Sequence, residues 1–259
     1  MSKALGLAGL LMILATSPVL GADLTAAQVH QTLSVASPER PADFSGKSLE
    51  NLDLSNFDFR RARLTRTNLF GAKLVGADFS GANLSGAKLD LAWVMRANFT
   101  GANLSNASLL GLVVSSGLEY SPTEAPTFKS ANFSGAHVVA RLARFDLRGA
   151  NFQGARMGAD MRNQSMGLMR SDLSGANLTD ANFAGADLSR ALLRFARMIG
   201  ADLSHANLSG ADLSGADLTG GDLTGADATE ADFGGATLTN VRGLDTVKGL
   251  KLPNQQNRR

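Results

Sequence analysis

The chain of 259 residues has no cysteine, three histidines and a single tyrosine. Without cysteine there is no disulfide and no thiolate metal ligand, so stability must come from backbone ladders and buried side chains. This absence is compatible with export into an oxidising compartment. With His30, His137 and His205 as the only imidazoles, the many serines lack a base-and-orienter set, and Ser204 beside His205 is mere adjacency. Long apolar runs are missing as well. The stretch from Ala4 to Ala15 falls short of the about 20 residues that cross a bilayer. Gly46-Lys47-Ser48 resembles the end of a phosphate-binding loop, but Pro41 stands where the first glycine is required, and a turn is the simpler account.

What the chain has instead is a five-residue beat, as in Ala201-Asp202-Leu203-Ser204-His205-Ala206-Asn207-Leu208-Ser209-Gly210. A short fixed period marks a solenoid and takes precedence over other local signals. Five matches neither the 3.6 of a helix nor the 2.0 of a strand. If Ala and Leu point inward and the Asn or Asp between them outward, each pentad is a three-residue strand followed by a Ser-Gly corner. Glycine tolerates the corner backbone, and Ser, Asn and Asp can bond nearby main-chain groups.

These residues resemble the pentapeptide-repeat family, with its consensus Ala-(Asp/Asn)-Leu-X-X. The resemblance implies an all-β chain: a right-handed quadrilateral parallel β-helix with four pentads per coil. Phe59, Phe79 and Phe99 recur at a spacing of twenty, as expected for one residue type stacked on one side, although Phe44 and Leu64 depart from it. The central apolar residue keeps one phase from Phe44 to Val114 and resumes at Phe128. It slips by one residue between Val138 and Leu142, runs to Met157, and resumes from Leu168 to Leu238. About nine coils at about 4.8 Å each give a rod on the order of 40 to 45 Å long. The expected organisation is a repeat domain over 43–240, interrupted by a loop at 115–126 and an irregular segment at 139–167.

Lys3, the apolar run and the small residues at Gly21 and Ala22 describe a secretory signal peptide over 1–22. Over 23–42, Thr25 and Gln28 form a capping box, with Leu24 and Val29 as hydrophobic staple, and predict a short helix from Ala26 to Val35 that covers the open end of the solenoid. Residues 241–259 lose the beat and are expected to form a second cap and a basic tail.

Few residues are left to carry chemistry. The loop at 115–126 offers Glu119 and Tyr120, and the middle of the chain offers Arg141, Arg144, Arg148 and Arg156 as candidate partner contacts. Met157, Met161, Met166 and Met169 are weak candidates for soft-metal ligands, with flexible core filling as the blander account. The formal charge of +2 conceals a basic middle and acidic final coils. The expected function is a non-enzymatic, exported binding or scaffold protein. Its expected partner is a protein, with no nucleic acid, no cofactor and no membrane span once the signal is removed. Two alternatives stand beside it: the DNA mimicry by which some members of the resembling family protect type II topoisomerases, and periplasmic copper handling through the methionines. The signal peptide and the basic middle oppose the first.

Overall fold

A computed structural model describes residues 21–117, 121–159 and 170–251. The signal-peptide segment through residue 20 and the tail from residue 252 lie outside it. Helix α1 spans Ala26–Ser34, one residue short of the expected end. Its capping box is present, with Gln28 N–H donating to Thr25 Oγ1 at 3.2 Å and Thr25 N–H to Gln28 Oε1 at 2.8 Å. Val29 is fully buried, and Leu24 and Leu33 pack on the same apolar core. Asp23 continues onto the first coil, donating its N–H to Ser48 O and accepting the Ser48 N–H on its carboxylate, both at 2.8 Å.

From Asp43 onward the middle residue of each pentad pairs in parallel with its counterpart one coil later. There are four bridge columns per coil, starting at Asp43, Ser48, Asp53 and Asp58. The first runs through Arg63, Asn83, Asn103, Asn132, Asn151, Asn182, Asp202 and Asp222 to Arg242. Within one pentad every N–H finds an acceptor. Ala82 N–H closes a turn on Phe79 O at 2.9 Å, and Asn83 N–H reaches the preceding coil at Ala62 O at 3.0 Å. Leu84 and Gly86 N–H reach the following coil at Asn103 O and Ser105 O at 2.7 and 2.8 Å, while Ser85 N–H is taken by the Asn83 side chain at 3.1 Å. Asn or Asp is therefore written at the middle position because its side chain accepts the one N–H that no backbone carbonyl reaches.

The expected three-residue strands contract to single bridge residues, since two of every five residues are spent in the turn. The exception is β1 (Ser108–Leu110) on β2 (His137–Val139), in register Leu109 to Val138. There the turn after Val138 has lost one residue and the extended backbone runs on.

The Ala and Leu positions are buried along the ladder up to the last coil and form one continuous core. Fully burying each Leu or Phe contributes about 1.5–3 kcal/mol, before the entropy of ordering the chain is set against it. Phe59, Phe79, Phe99 and Phe128 stack along the fourth column with ring centroids 4.6, 4.9 and 4.9 Å apart. Phe133, Phe152 and Phe183 do the same along the first column, at 4.6 and 4.8 Å.

The coil length departs from twenty where the sequence loses its beat. Asn98 pairs with Thr127, Asn132 with Asn151 and Arg141 with Asp172, giving coils of 29, 19 and 31 residues. The buried Pro126 takes the Ala position of its pentad, so the first excursion closes one residue before the expected boundary at 126. The span 139–167 is less irregular than its sequence suggests. Arg141, Asp146, Asn151 and Arg156 all bridge to the following coil, and the register holds through Ala159. Leu168 lies outside the described residues, and Leu173 takes the core position after Met157. Nor does the ladder stop at 240. Asp222 pairs with Arg242 and Asp227 with Lys248, the extra residue being absorbed in a 3-10 turn at Leu244–Thr246. Ala231, Ala236, Leu238, Val241 and Val247 of this last coil are only partly buried.

Candidate functional site

Because the inward positions and turns are committed to the fold, any site must be sought where an outward residue breaks the pattern. The third column does so most strongly: Asp53, Lys73, Trp93 and Val113 follow one another along it, and Arg141 and then Asp172 stand farther along. Trp93 is 41% exposed, and Leu91, in the turn just before it, is 49% exposed. Leu91 has φ +58°, in the left-handed region that β-carbon sterics disfavour by roughly 1–2 kcal/mol. Phe70 occupies the corresponding turn of the preceding coil and Leu110, the last residue of β1, the same side of the following one, and Lys88 Nζ lies 4.9 Å over the Phe70 ring.

Both long excursions of the chain border this column. The first leaves after Val114, between the third and fourth columns, and returns at Pro126. Its feet are tied together, since Glu124 accepts from Ser115 Oγ at 3.1 Å, from Ser116 N–H at 2.9 Å and from Ser116 Oγ at 2.7 Å. Those hydrogen bonds, led by the Ser116 hydroxyl and backed by the Arg96 charge, hold the Glu124 carboxyl below its ordinary range. Glu124 O also accepts the Arg96 N–H at 2.8 Å, which fastens the loop to the preceding coil. The second interruption comes after Ala159, whose N–H still donates to Ser189 O at 3.0 Å, and the chain is back in register by Ser171 at the third column, whose hydroxyl donates to Val138 O at 2.8 Å.

The four arginines named from sequence do not form one surface. Arg141 is exposed on the third column, and Arg144 follows it in the next turn with φ +64°. Arg148, between the fourth and first columns, is engaged by Asp146 at 2.6 Å. Arg156 stands on the second column at the foot of the second excursion. Only Arg141 and Arg144 flank the third-column strip and the first loop. Glu119 and Tyr120 lie outside the described residues, as do Met161, Met166 and Met169. Met157 is fully buried at a second-column core position, where its thioether fills space among apolar neighbours. Sequence reasoning missed Trp93 and Leu91. The signal was available, for they stand where the repeat writes Asn or Asp and Gly.

Elsewhere, a recess of about 750 Å³ between α1 and the first coils is lined by Leu33, Pro38, Pro41, Arg60, Arg61 and Arg63. Its Arg60 is held by Asp58 at 2.5 Å, and Arg63 lies 3.9 Å from Asp43. Among the described residues no cluster of His, Asp and Glu could hold a metal ion, and no helix is long and apolar enough to cross a membrane.

The model of the family "Pentapeptide repeats" matches the chain in eight copies over residues 42–111 and 171–242, more than half of its length. No curated protein matches the chain significantly. Among solved structures it is similar to HetL, a pentapeptide repeat protein involved in heterocyst differentiation regulation in the cyanobacterium Nostoc. Identity is 26%, over 84% of this chain and 94% of that one, with a TM-score of 0.34. It is also similar to QnrB1, a plasmid-mediated fluoroquinolone resistance protein, at 26% identity over 82% of this chain and 87% of that one, with a TM-score of 0.39. A pentapeptide repeat protein of the Arabidopsis thaliana thylakoid lumen is 28% identical over 48% of this chain and 70% of that one, with a TM-score of 0.26. At such TM-scores the assignment rests on the repeat and not on the overlays.

Proposed function

The chain belongs to the pentapeptide-repeat family, and from that premise we propose that it is an exported, non-enzymatic binding protein: a right-handed, four-sided rod that presents its third column and the adjoining loops to a protein partner. Four bridge columns per coil support the four-sided section, and the general handedness of parallel crossovers supports the right-handed winding. One observation carries the binding surface. The two long excursions border the same column, and that column replaces the repeat's Asn or Asp with an exposed Trp93. Loops on a rigid scaffold are suited to recognition.

Deleting Ser116 to Thr123 tests it, because Ser115 and Glu124 are already in contact at the loop's feet. Affinity capture from a periplasmic extract should yield a partner with the intact protein and lose it with the deletion; retention of the same partner would remove the loop from the interface. Export is checked by mass spectrometry of the native protein, with an N-terminus at Asp23, or at Ala22 after the earlier cut, as the expected result. Full-length protein in the cytoplasm would overturn it and reopen the topoisomerase alternative, which inhibition of gyrase supercoiling by the mature protein would then support.

A further inference from the structure

Resting on the binding function above, we propose that the strip of the third column from Lys73 to Arg141 is a docking site for an acidic amphipathic helix of the partner. Its apolar floor consists of Trp93 and Val113 on the column, with Phe70 and Leu91 in the turns beside it and Leu110 at the end of β1. Leu91 is the telling residue. It occupies a left-handed turn position that glycine would adopt without strain, and about half of its side chain faces solvent. A side chain that strains the backbone and adds little to the core is consistent with a role outside the fold.

Charge selects the occupant. Lys73, Lys88, Arg96 and Arg141 rim the strip; among the described residues, Asp53 borders Lys73 on the column and accepts from Ser55 N–H, and the carboxylates beside the strip are turned to internal donors. Asp90 accepts from Ser108 Oγ at 2.6 Å and from Leu110 N–H at 3.0 Å, and Glu124 accepts from Ser115 and Ser116. The strip therefore offers apolar surface edged by cations, the complement of an apolar helix face edged by Glu and Asp. Geometry selects a helix. The apolar side chains recur once per coil, about 4.8 Å along the rod, and a helix laid along that axis offers one anchor per turn, every 5.4 Å or so. Over three coils the two repeats drift apart by less than about 2 Å, which flexible side chains absorb, so anchors at i, i+3, i+4 and i+7 can all engage.

Trp93 is the only tryptophan of the chain, so its emission reports directly on the strip. The probes are a helical peptide of about 14 residues with Leu at i, i+3, i+4, i+7 and i+11 and Glu on the remaining face, its Lys-for-Glu counterpart, and phosphatidylglycerol vesicles, each added to the mature full chain. The Glu peptide should shift the emission to the blue and saturate. The K73E/R141E variant should weaken it about ten-fold or more, a hot-spot-sized loss, as should Leu91→Gly, whose backbone suits glycine. Equal response to both peptides, response to vesicles alone, or no saturable response to the Glu peptide would each overturn the proposal. If Leu91→Gly and K73E/R141E keep a captured partner that the loop deletion loses, the docking strip falls while the binding function stands.

Discussion

The coils over 43–114 and those over 172–243 share one interior and differ in what their outward positions carry. Both bury Ala and Leu at the same pentad positions and repeat every twenty residues. In the second region the outward position is mostly Asp, as at Asp202, Asp212, Asp217 and Asp222, while the left-handed turn position alternates between Gly and larger residues in both regions, as at Gly86 and Leu91 or Gly200 and His205. The first region puts Arg63, Lys73, Lys88 and Trp93 in the outward place. Asp and Gly are the residues the turn itself prefers. Lys73 and Trp93 have no side-chain acceptor for the N–H of Val75 and Met95, the bond that Asp217 supplies to Thr219 at 3.1 Å. The second region is thus written close to what the coil needs, and the first gives up local hydrogen bonds for surface chemistry.

The largest test addresses what the regions share. Leu208→Asp puts an unpaired carboxylate into the core and should cost about 3–5 kcal/mol, whereas Ser209→Lys, one residue on and outward, should stay within about 0.5 kcal/mol. Ala102→Phe in the first region overpacks a fully buried site and should cost about 1–3 kcal/mol or more. Thermal melts decide both, and equal melting temperatures for all three variants would break the common interior.

Next comes the proposed sacrifice. Trp93→Asn restores the acceptor for Met95 N–H and should stabilise the rod by about 0.5–1.5 kcal/mol; a destabilised variant would show that Trp93 serves the fold. The acidic region is sharpened by pH. Hydrogen bonds from Lys248 and then Thr229 bring Asp227 down to about 2, and the Thr219 and Thr224 hydroxyls lower Asp217 and Asp222. A depressed folded pKa means stability that is present above the unfolded value of about 3.9 and lost as pH falls through the folded one. Melting temperature should therefore drop between about pH 4 and pH 2, with a shallower drop in Asp227→Asn. The smallest effect belongs to the first loop. Removing Ser116 to Thr123 should leave the melting temperature nearly unchanged, since loop length enters stability only logarithmically, and unfolding would place those residues in the core.

Much of this was legible in the sequence, because one five-residue rule governs both packing and hydrogen bonding. The spacing of Phe59, Phe79 and Phe99 announced the coil, and Phe128 continues that stack across the excursion because Pro126 and Thr127 resume the pentad first. Thr25 and Gln28 announced the helix. The regularity of 140–157 was hidden by the one-residue deletion after Val138, which shifts the local phase while the ladder to the next coil continues. The paired C-terminal residues were hidden similarly, since Arg242 and Lys248 are held by Asp222 and Asp227 across coils and their own pentads are imperfect. The site was legible only in part. Arginines adjacent in sequence are distributed around the rod by the turns, whereas Leu91 and Trp93 become neighbours of Val113 only once the coil length is known.

The unequal coils of 29, 19 and 31 residues have a consequence for how such a chain can change over time. The three follow one another, and from Asp172 to Arg242 the bridges return to twenty-residue spacing, so insertions and a single-codon deletion are absorbed without loss of the ladder. In a heptad coiled coil the same indel would shift every contact downstream. Here each coil reads its register from the one before it, so the molecule can be lengthened a coil at a time or given a new loop at any turn. That makes the rod a ruler with adjustable attachments, its length and its loops open to separate selection.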